Sequence, residues 1–247
     1  MKKDNIFYRI FKLNPYFFTL YIGFLILGLL HIIFHSQESS VLWLNQNHSP
    51  VADFFFRFYT YIGDGIFYAV ALIIFIIHRI RIFIIGLLSF LISGGSAQVI
   101  KHIFNTPRPK LYFVHQHLLH FVPGVDVYSN YSLPSGHTAT AFSLFLLLSF
   151  MVKYKPLGIV FFLMALGVGL SRLYLLQHFF IDIYVGSIIG VLITIAFYYL
   201  VKSEKVNKRF FKLLYGKHRK IFALFSVFFC FLLIKILSLF GQKIKLS

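Results

Sequence analysis

The sequence predicts an all-α protein of the membrane: a polytopic bundle of six helices followed by a seventh apolar run. Three observations carry this. Of 247 residues, 59% are hydrophobic and only 13% charged, and apolar runs on this scale cannot all be hidden in a water-soluble core. Six of the runs, at 16–35, 61–78, 82–104, 136–152, 156–174 and 180–201, come close to the ~20 residues a helix needs to cross the hydrocarbon layer. The third observation is charge. With the N-terminus inside, sixteen Lys and Arg fall on the inner side and seven on the outer, with Lys235 in neither group. That asymmetry orients membrane proteins. It also accounts for the net charge of +17 without a nucleic-acid partner.

The chain divides into an N-terminal segment with the first span (1–49), a membrane core (50–201), and a basic cytoplasmic segment with the seventh run, 221–240 (202–247). The first span follows Lys2, Lys3, Arg9 and Lys12. Its apolar run is too long for a signal peptide and has no Ala-x-Ala-like cleavage site, so it reads as a retained anchor. The eight basic residues between Lys202 and Lys220 would also attract anionic lipid. Cys230 is the single cysteine, which excludes an internal disulfide; it packs as a small hydrophobe.

Residues 49–63 are aromatic-rich and too short to span. Asp53 and Arg57 stand four apart, as an ion pair on a helix would. The segment is either an interfacial helix lying on the outer surface or the start of span two. In span three, Ser93-Gly94-Gly95-Ser96-Ala97 signals close helix packing in lipid, as does Gly186-x-x-x-Gly190 in span six. Span three ends in Lys101 and then Pro107-Arg108-Pro109. Flanking prolines aim the Arg108 guanidinium, and two aimed cations on the outer face suit an anion.

An outer loop, 110–133, carries His115, His117 and His120. A metal would want a carboxylate and a rigid frame for these imidazoles. Asp126 is the nearest acid, so no metal site is expected and a substrate lid is the preferred reading. The loop runs into Pro134-Ser135-Gly136-His137 at the start of span four. Ser135 suits an N-cap, Gly136 lets the backbone approach a ligand, and free N–H groups at a helix start seat an anion. The alternative is a capped helix with an interfacial histidine. Between spans five and six lie Ser171, Arg172, His178 and Asp182. The last two are four apart and can touch on one helical face. A carboxylate on one ring nitrogen leaves the other as a directed base or nucleophile, and Arg172 offers a planar fork for phosphate. Taken alone, this is also what a buried structural ion pair looks like.

At these residues the chain resembles the type-2 phosphatidic acid phosphatase family. Its signatures, Lys-x6-Arg-Pro, Pro-Ser-Gly-His and Ser-Arg-x5-His-x3-Asp, stand here at Lys101 to Pro109, Pro134 to His137 and Ser171 to Asp182, in order and without departure. The resemblance covers about 50–200. It implies a six-helix membrane core and a metal- and cofactor-independent phosphohydrolase. His178 would be the nucleophile that forms a phosphohistidine, Asp182 would orient it, and His137 would protonate the leaving oxygen. Lys101, Arg108, Ser135, Gly136 and Arg172 would hold the phosphoryl oxygens. Vanadium haloperoxidases are similar at the same motifs but are typically soluble. A non-catalytic lipid-phosphate binding or transport protein is the other class to separate.

The charge count places the site on the outer face of a cell (inner) membrane, with the lipid bilayer supplying the substrate. Undecaprenyl diphosphate, phosphatidylglycerol phosphate and lipid A phosphates all fit. The first is expected, because spent diphosphate carrier of wall synthesis accumulates on that face. Oligomeric state is not legible.

Overall fold

In the computed structural model, which describes residues 6–113 and 119–203, the shortest of the expected spans is the hub. This helix, α8 (Gly136–Met151), has twelve of its sixteen residues buried. It packs against α5 (Gly65–His78), α6 (Ile80–Phe104), α9 (Leu157–Tyr174) and α10 (Phe180–Lys202), while α2 (Pro15–Phe34) lies on α9. All the elements among the described residues are helical. The six expected spans form with bounds within four residues of those read from sequence. The run 221–240 lies outside the described residues.

Four helices, α2, α6, α9 and α10, begin spans long and apolar enough to cross a membrane, and a bent pair ending in α5 makes a fifth. At sixteen residues, α8 is only about 24 Å long. Protein surrounds it on several sides, so its length need not match the lipid. Its small residues let α10 come close. A Cβ added at Gly190 would sit 2.2 Å from the Ala139 carbonyl oxygen, and one at Gly186 2.6 Å from that of Ser135. Those two glycines do what the spacing predicts. Gly94 and Gly95 do not, since a Cβ there would meet nothing within 4 Å. The buried stripe of α6 is instead Ile85, Ser89, Ser93, Ala97 and Lys101, each four residues after the last. It is an inward face that ends in a lysine.

One end of the bundle is tied by Asn14, fully buried. Its side-chain oxygen caps α2 by accepting from the Phe17 N–H, and its amide donates to the Ser149 carbonyl at 3.0 Å. Above that anchor Phe17, Tyr21, Phe24, Phe142 and Phe162 interlock as stacked, tilted and edge-on rings. Polar catalytic-type groups are gathered at the opposite end, where α6 and α9 finish and α8 and α10 begin.

Residues 50–63 form a helix and a turn of their own ahead of α5. Helix α4 (Pro50–Tyr59), capped by Ser49, is separate from α5. A 3-10 turn, Thr60–Gly63, follows it, and the axis then bends by 53°. The break is local chemistry: Asp64 is extended and caps α5 by accepting from the Ile66 N–H. Helices α1 (Ile6–Leu13), α3 (Gln37–Gln46) and α7 (Pro109–Tyr112) were not legible as elements. The expected Asp53–Arg57 pair is replaced. Asp53 turns to Tyr174 and His120, while Arg57 lies over Phe58 and against Gly124. Partners brought in by tertiary packing are partly desolvated, and they outcompete a surface pair worth only tenths of a kcal/mol.

Candidate active site

The carboxyl end of α9 delivers His178. The Gln177 N–H reaches back to the Arg172 carbonyl and the Leu176 N–H to that of Leu173, the double bond of a Schellman motif. The residue in the left-handed position is Leu176, at φ +56°, where glycine is usual. The backbone cost is about 1–2 kcal/mol. Leu176 is 1% exposed in a cluster with Leu173, Phe179 and Ile183, and burying a leucine contributes roughly 1.5–3 kcal/mol. Apolar packing therefore outweighs the strain. The turn folds His178 back over Arg172, whose carbonyl also accepts the His178 N–H.

His178 and Asp182 are 1% and 2% exposed. Three donors converge on one oxygen of Asp182: the Ser132 hydroxyl at 2.5 Å, the Phe179 N–H at 2.9 Å and Nδ1 of His178 at 3.3 Å. A carboxylate oxygen can only accept, so Nδ1 carries the ring proton and Nε2 keeps its lone pair. Burial first, then the nearby Arg108, Arg172 and Lys101, hold His178 well below its ordinary pKa. Its ring is therefore neutral at pH 7.

Three cations surround this pair, and all are buried: Lys101 7%, Arg108 7% and Arg172 8% exposed. Among the described residues none of them forms a salt bridge. Lys101 donates to the Tyr131 carbonyl at 2.8 Å. Arg108 donates to the carbonyls of Asn130 and Gln177 and to the Gln177 side chain. Arg172 donates to the Thr60 hydroxyl at 2.8 Å, and its buried Nε has no partner. Burying an ion costs several kcal/mol when no counter-charge repays it, and three like charges add repulsion. Such an arrangement suits an anion far better than it suits the fold alone.

The start of α8 completes the set. Ser135 is fully buried; its hydroxyl caps the helix by accepting from the Thr138 N–H, and its own N–H donates to the Asp182 carbonyl at 3.0 Å. A Cβ built on Gly136 would meet nothing within 4 Å, so open space lies over the first turn. His137 is partly buried within electrostatic reach of Arg172, His178, Lys101 and Arg108. The 3-10 turn backs it, for a Cβ on Gly63 would sit 3.0 Å from that of His137.

All eight residues singled out from the sequence thus lie at one end of the bundle. Sequence reasoning missed their holders: Thr60 on Arg172, Gln177 on Arg108, Ser132 on Asp182, and the carbonyls of Asn130 and Tyr131. Ser132 and Gln177 adjoin the motifs and could have been flagged for that reason. Thr60 gives no signal. His115 and His117 lie outside the described residues, while His120 pairs with Asp53 at 2.8 Å.

Four matches relate this chain to known proteins. The family described as the PAP2 superfamily matches residues 80–205. A dihydrosphingosine 1-phosphate phosphatase of Schizosaccharomyces pombe is 27% identical over 172 residues, which is 64% of this chain and 41% of that protein. The chain thus spans less than half of that curated relative. Among solved structures, LpxE of Aquifex aeolicus is similar with a TM-score of 0.58 and 28% identity, over 64% of this chain and 92% of that one. A transmembrane phosphatidylglycerolphosphate phosphatase of Bacillus subtilis shares the fold with a TM-score of 0.50 and 24% identity, over 78% and 98%.

Proposed function

We propose, from the premise that this chain belongs to the PAP2 superfamily, that it is a membrane phosphohydrolase acting on a lipid phosphate or diphosphate without a metal. One observation carries the reading: three buried cations without a carboxylate partner face a buried histidine that a carboxylate orients.

Phosphoryl transfer needs positioning and neutralisation of charge spread over the transferred oxygens. Lys101, Arg108, Arg172 and the first turn of α8, with Ser135 and Gly136, supply both. Nε2 of His178 attacks phosphorus as the bond to the leaving oxygen breaks. The Nδ1 proton stays on the ring, and Asp182 balances the cationic phosphohistidine. His137 gives a proton to the leaving oxygen, then takes one from the water that attacks phosphorus and breaks the P–N bond. Inorganic phosphate leaves, and His178 is neutral again. Thr60, Gln177 and Ser132 act as positioning residues.

The Lys/Arg asymmetry places this end on the outer face. An apolar groove of about 400 Å³, lined by His31, His35, Trp43, Leu170, Leu173 and Phe180 among others, adjoins the stretch that carries His178 and suits an acyl or prenyl chain. Undecaprenyl diphosphate is the preferred substrate, since a diphosphate presents charge to several cations at once. Two relatives are named for lipid phosphomonoesters, which keeps phosphatidylglycerol phosphate and lipid A phosphates as the second reading.

The test is kcat/KM of the purified protein in mixed micelles at fixed lipid surface fraction. Each of the three lipids is compared with a soluble phosphomonoester, all in EDTA. Phosphate release that survives EDTA, is inhibited by vanadate and favours the diphosphate is expected. Equal turnover of the soluble ester ends the lipid reading. Binding without phosphate release from any substrate supports the transport reading.

A further inference from the structure

We propose that His48, Asp53 and His120 form a site for a borderline-soft divalent metal ion of the Zn²⁺ type, at the rim of the same end of the bundle. Their ligand atoms all lie within 4.8 Å of one another, although the three residues come from different segments. His48 lies within the connection between α3 and α4, Asp53 is in the first turn of α4, and His120 is in the loop before α8. Nε2 of His120 lies 2.8 Å from Oδ2 of Asp53, and the His48 ring stacks on that of His120 with centroids 3.7 Å apart. This inference does not depend on the phosphatase reading.

The surroundings resemble the outer shell of a metal centre. The Tyr174 hydroxyl donates to the other oxygen, Oδ1, of Asp53, which orients the carboxylate and leaves Oδ2 for a ligand role. The His120 backbone is clamped on both sides by one side chain: its N–H donates to the Asn45 amide oxygen at 2.9 Å, and its carbonyl accepts from the Asn45 amide nitrogen at 2.8 Å. Two ligands are thereby fixed by second contacts. The third is adjustable, since His48 is exposed. Parallel rings cannot both point a lone pair at one ion, and two ligands of a tetrahedral ion stand about 3.4 Å apart. Binding therefore turns the exposed His48 ring about its own side chain and opens the 2.8 Å contact between His120 and Asp53 to about 3.4 Å. Two imidazoles and a carboxylate suit Zn²⁺, Ni²⁺ or Cu²⁺, and disfavour Mg²⁺ and Ca²⁺, which want oxygen donors. A fourth position stays open to water.

An ion there would tie the loop before α8 to α4. That loop also carries the Asn130 and Tyr131 carbonyls that hold Arg108 and Lys101.

Co²⁺ titration of the full chain in detergent, with Zn²⁺ competition, is the direct experiment. One Co²⁺ per chain is expected, with the visible bands of a four-coordinate ion and with slower hydrogen exchange in residues 119–131. His48→Ala, at an exposed position that leaves folding intact, should weaken binding by at least ~10-fold, as should Asp53→Asn and His120→Gln. The His115→Ala/His117→Ala double variant should bind within about twofold of the parent. Co²⁺ affinity unchanged in His48→Ala, or lost in the His115/His117 variant, overturns the assignment.

Discussion

Among the described residues two histidine–aspartate pairs stand at the same end of the bundle, and the tighter contact belongs to the more exposed one. His120 and Asp53 are 2.8 Å apart with side chains 27% and 17% exposed; His178 and Asp182 are 3.3 Å apart with side chains 2% and 3% exposed. Contact length therefore does not identify a reaction centre. Neighbours do. Asp182 shares one oxygen among Ser132, Phe179 and His178, with His178 holding the longest of the three contacts, and three buried cations surround the pair. Around Asp53 stand a tyrosine and a second, exposed imidazole, that of His48. The first setting suits the proposed nucleophile and its orienter, the second the proposed set of metal ligands.

Removing each histidine gives the largest contrast. His178→Ala should lower kcat by roughly 10⁴-fold or more, because among the described residues no second nucleophile stands in its place, whereas His120→Ala should cost less than about tenfold. Comparable losses in the two, measured as steady-state phosphate release in EDTA, would erase the distinction. Next comes the cation nearest the turn. Arg172→Lys keeps the charge but loses the fork that bonds Thr60, and a loss of about 10²- to 10³-fold in kcat/KM is expected. Full activity of that variant would mean point charge alone suffices.

Gly136→Ala separates site from scaffold. The added methyl touches no protein atom, so the melting temperature should hold or rise slightly, since alanine suits a helix better than glycine. Activity should fall by about 10²-fold, because the methyl displaces the bound phosphoryl group. A drop in stability with activity intact would place the open space elsewhere. The smallest effect is in pH. Lowering pH protonates a nucleophilic histidine and stops it. Burial and the cations hold His178 well below 6.5, so the acid limb of kcat/KM should fall well below 6.5, with the substrate's own ionisation fitted separately. Bound phosphate offsets the cations and favours imidazolium, so the acid limb of kcat should lie at higher pH. An acid limb of kcat/KM at or above 6.5 would contradict the buried setting.

The core helices and the gathering of the eight candidate residues at one end were legible because each depends on local pattern: apolar length for helices, fixed spacing for Lys101 to Pro109, Pro134 to His137 and Ser171 to Asp182. What sequence did not reveal depends on which surfaces meet. Thr60 matters because a bend at Asp64 presses its turn against α9. Leu176 occupies a glycine position because a local cluster buries it. Gly94 and Gly95 looked like a packing seam, yet the helix face that meets neighbours is the one with Ser93 and Ala97. Asp53 looked paired to Arg57 until the loop before α8 brought in His120.

The central claim is that His178, and neither His137 nor the rim histidines, receives the phosphoryl group. Rapid quenching of the full chain with an activated, isotopically labelled phosphate ester, followed by peptide mapping under base-stable, acid-labile conditions, tests it most directly. Label on the peptide that contains His178, retained in His137→Ala and absent in His178→Ala, is the predicted result. Label that persists in His178→Ala while vanishing in His137→Ala would contradict the account.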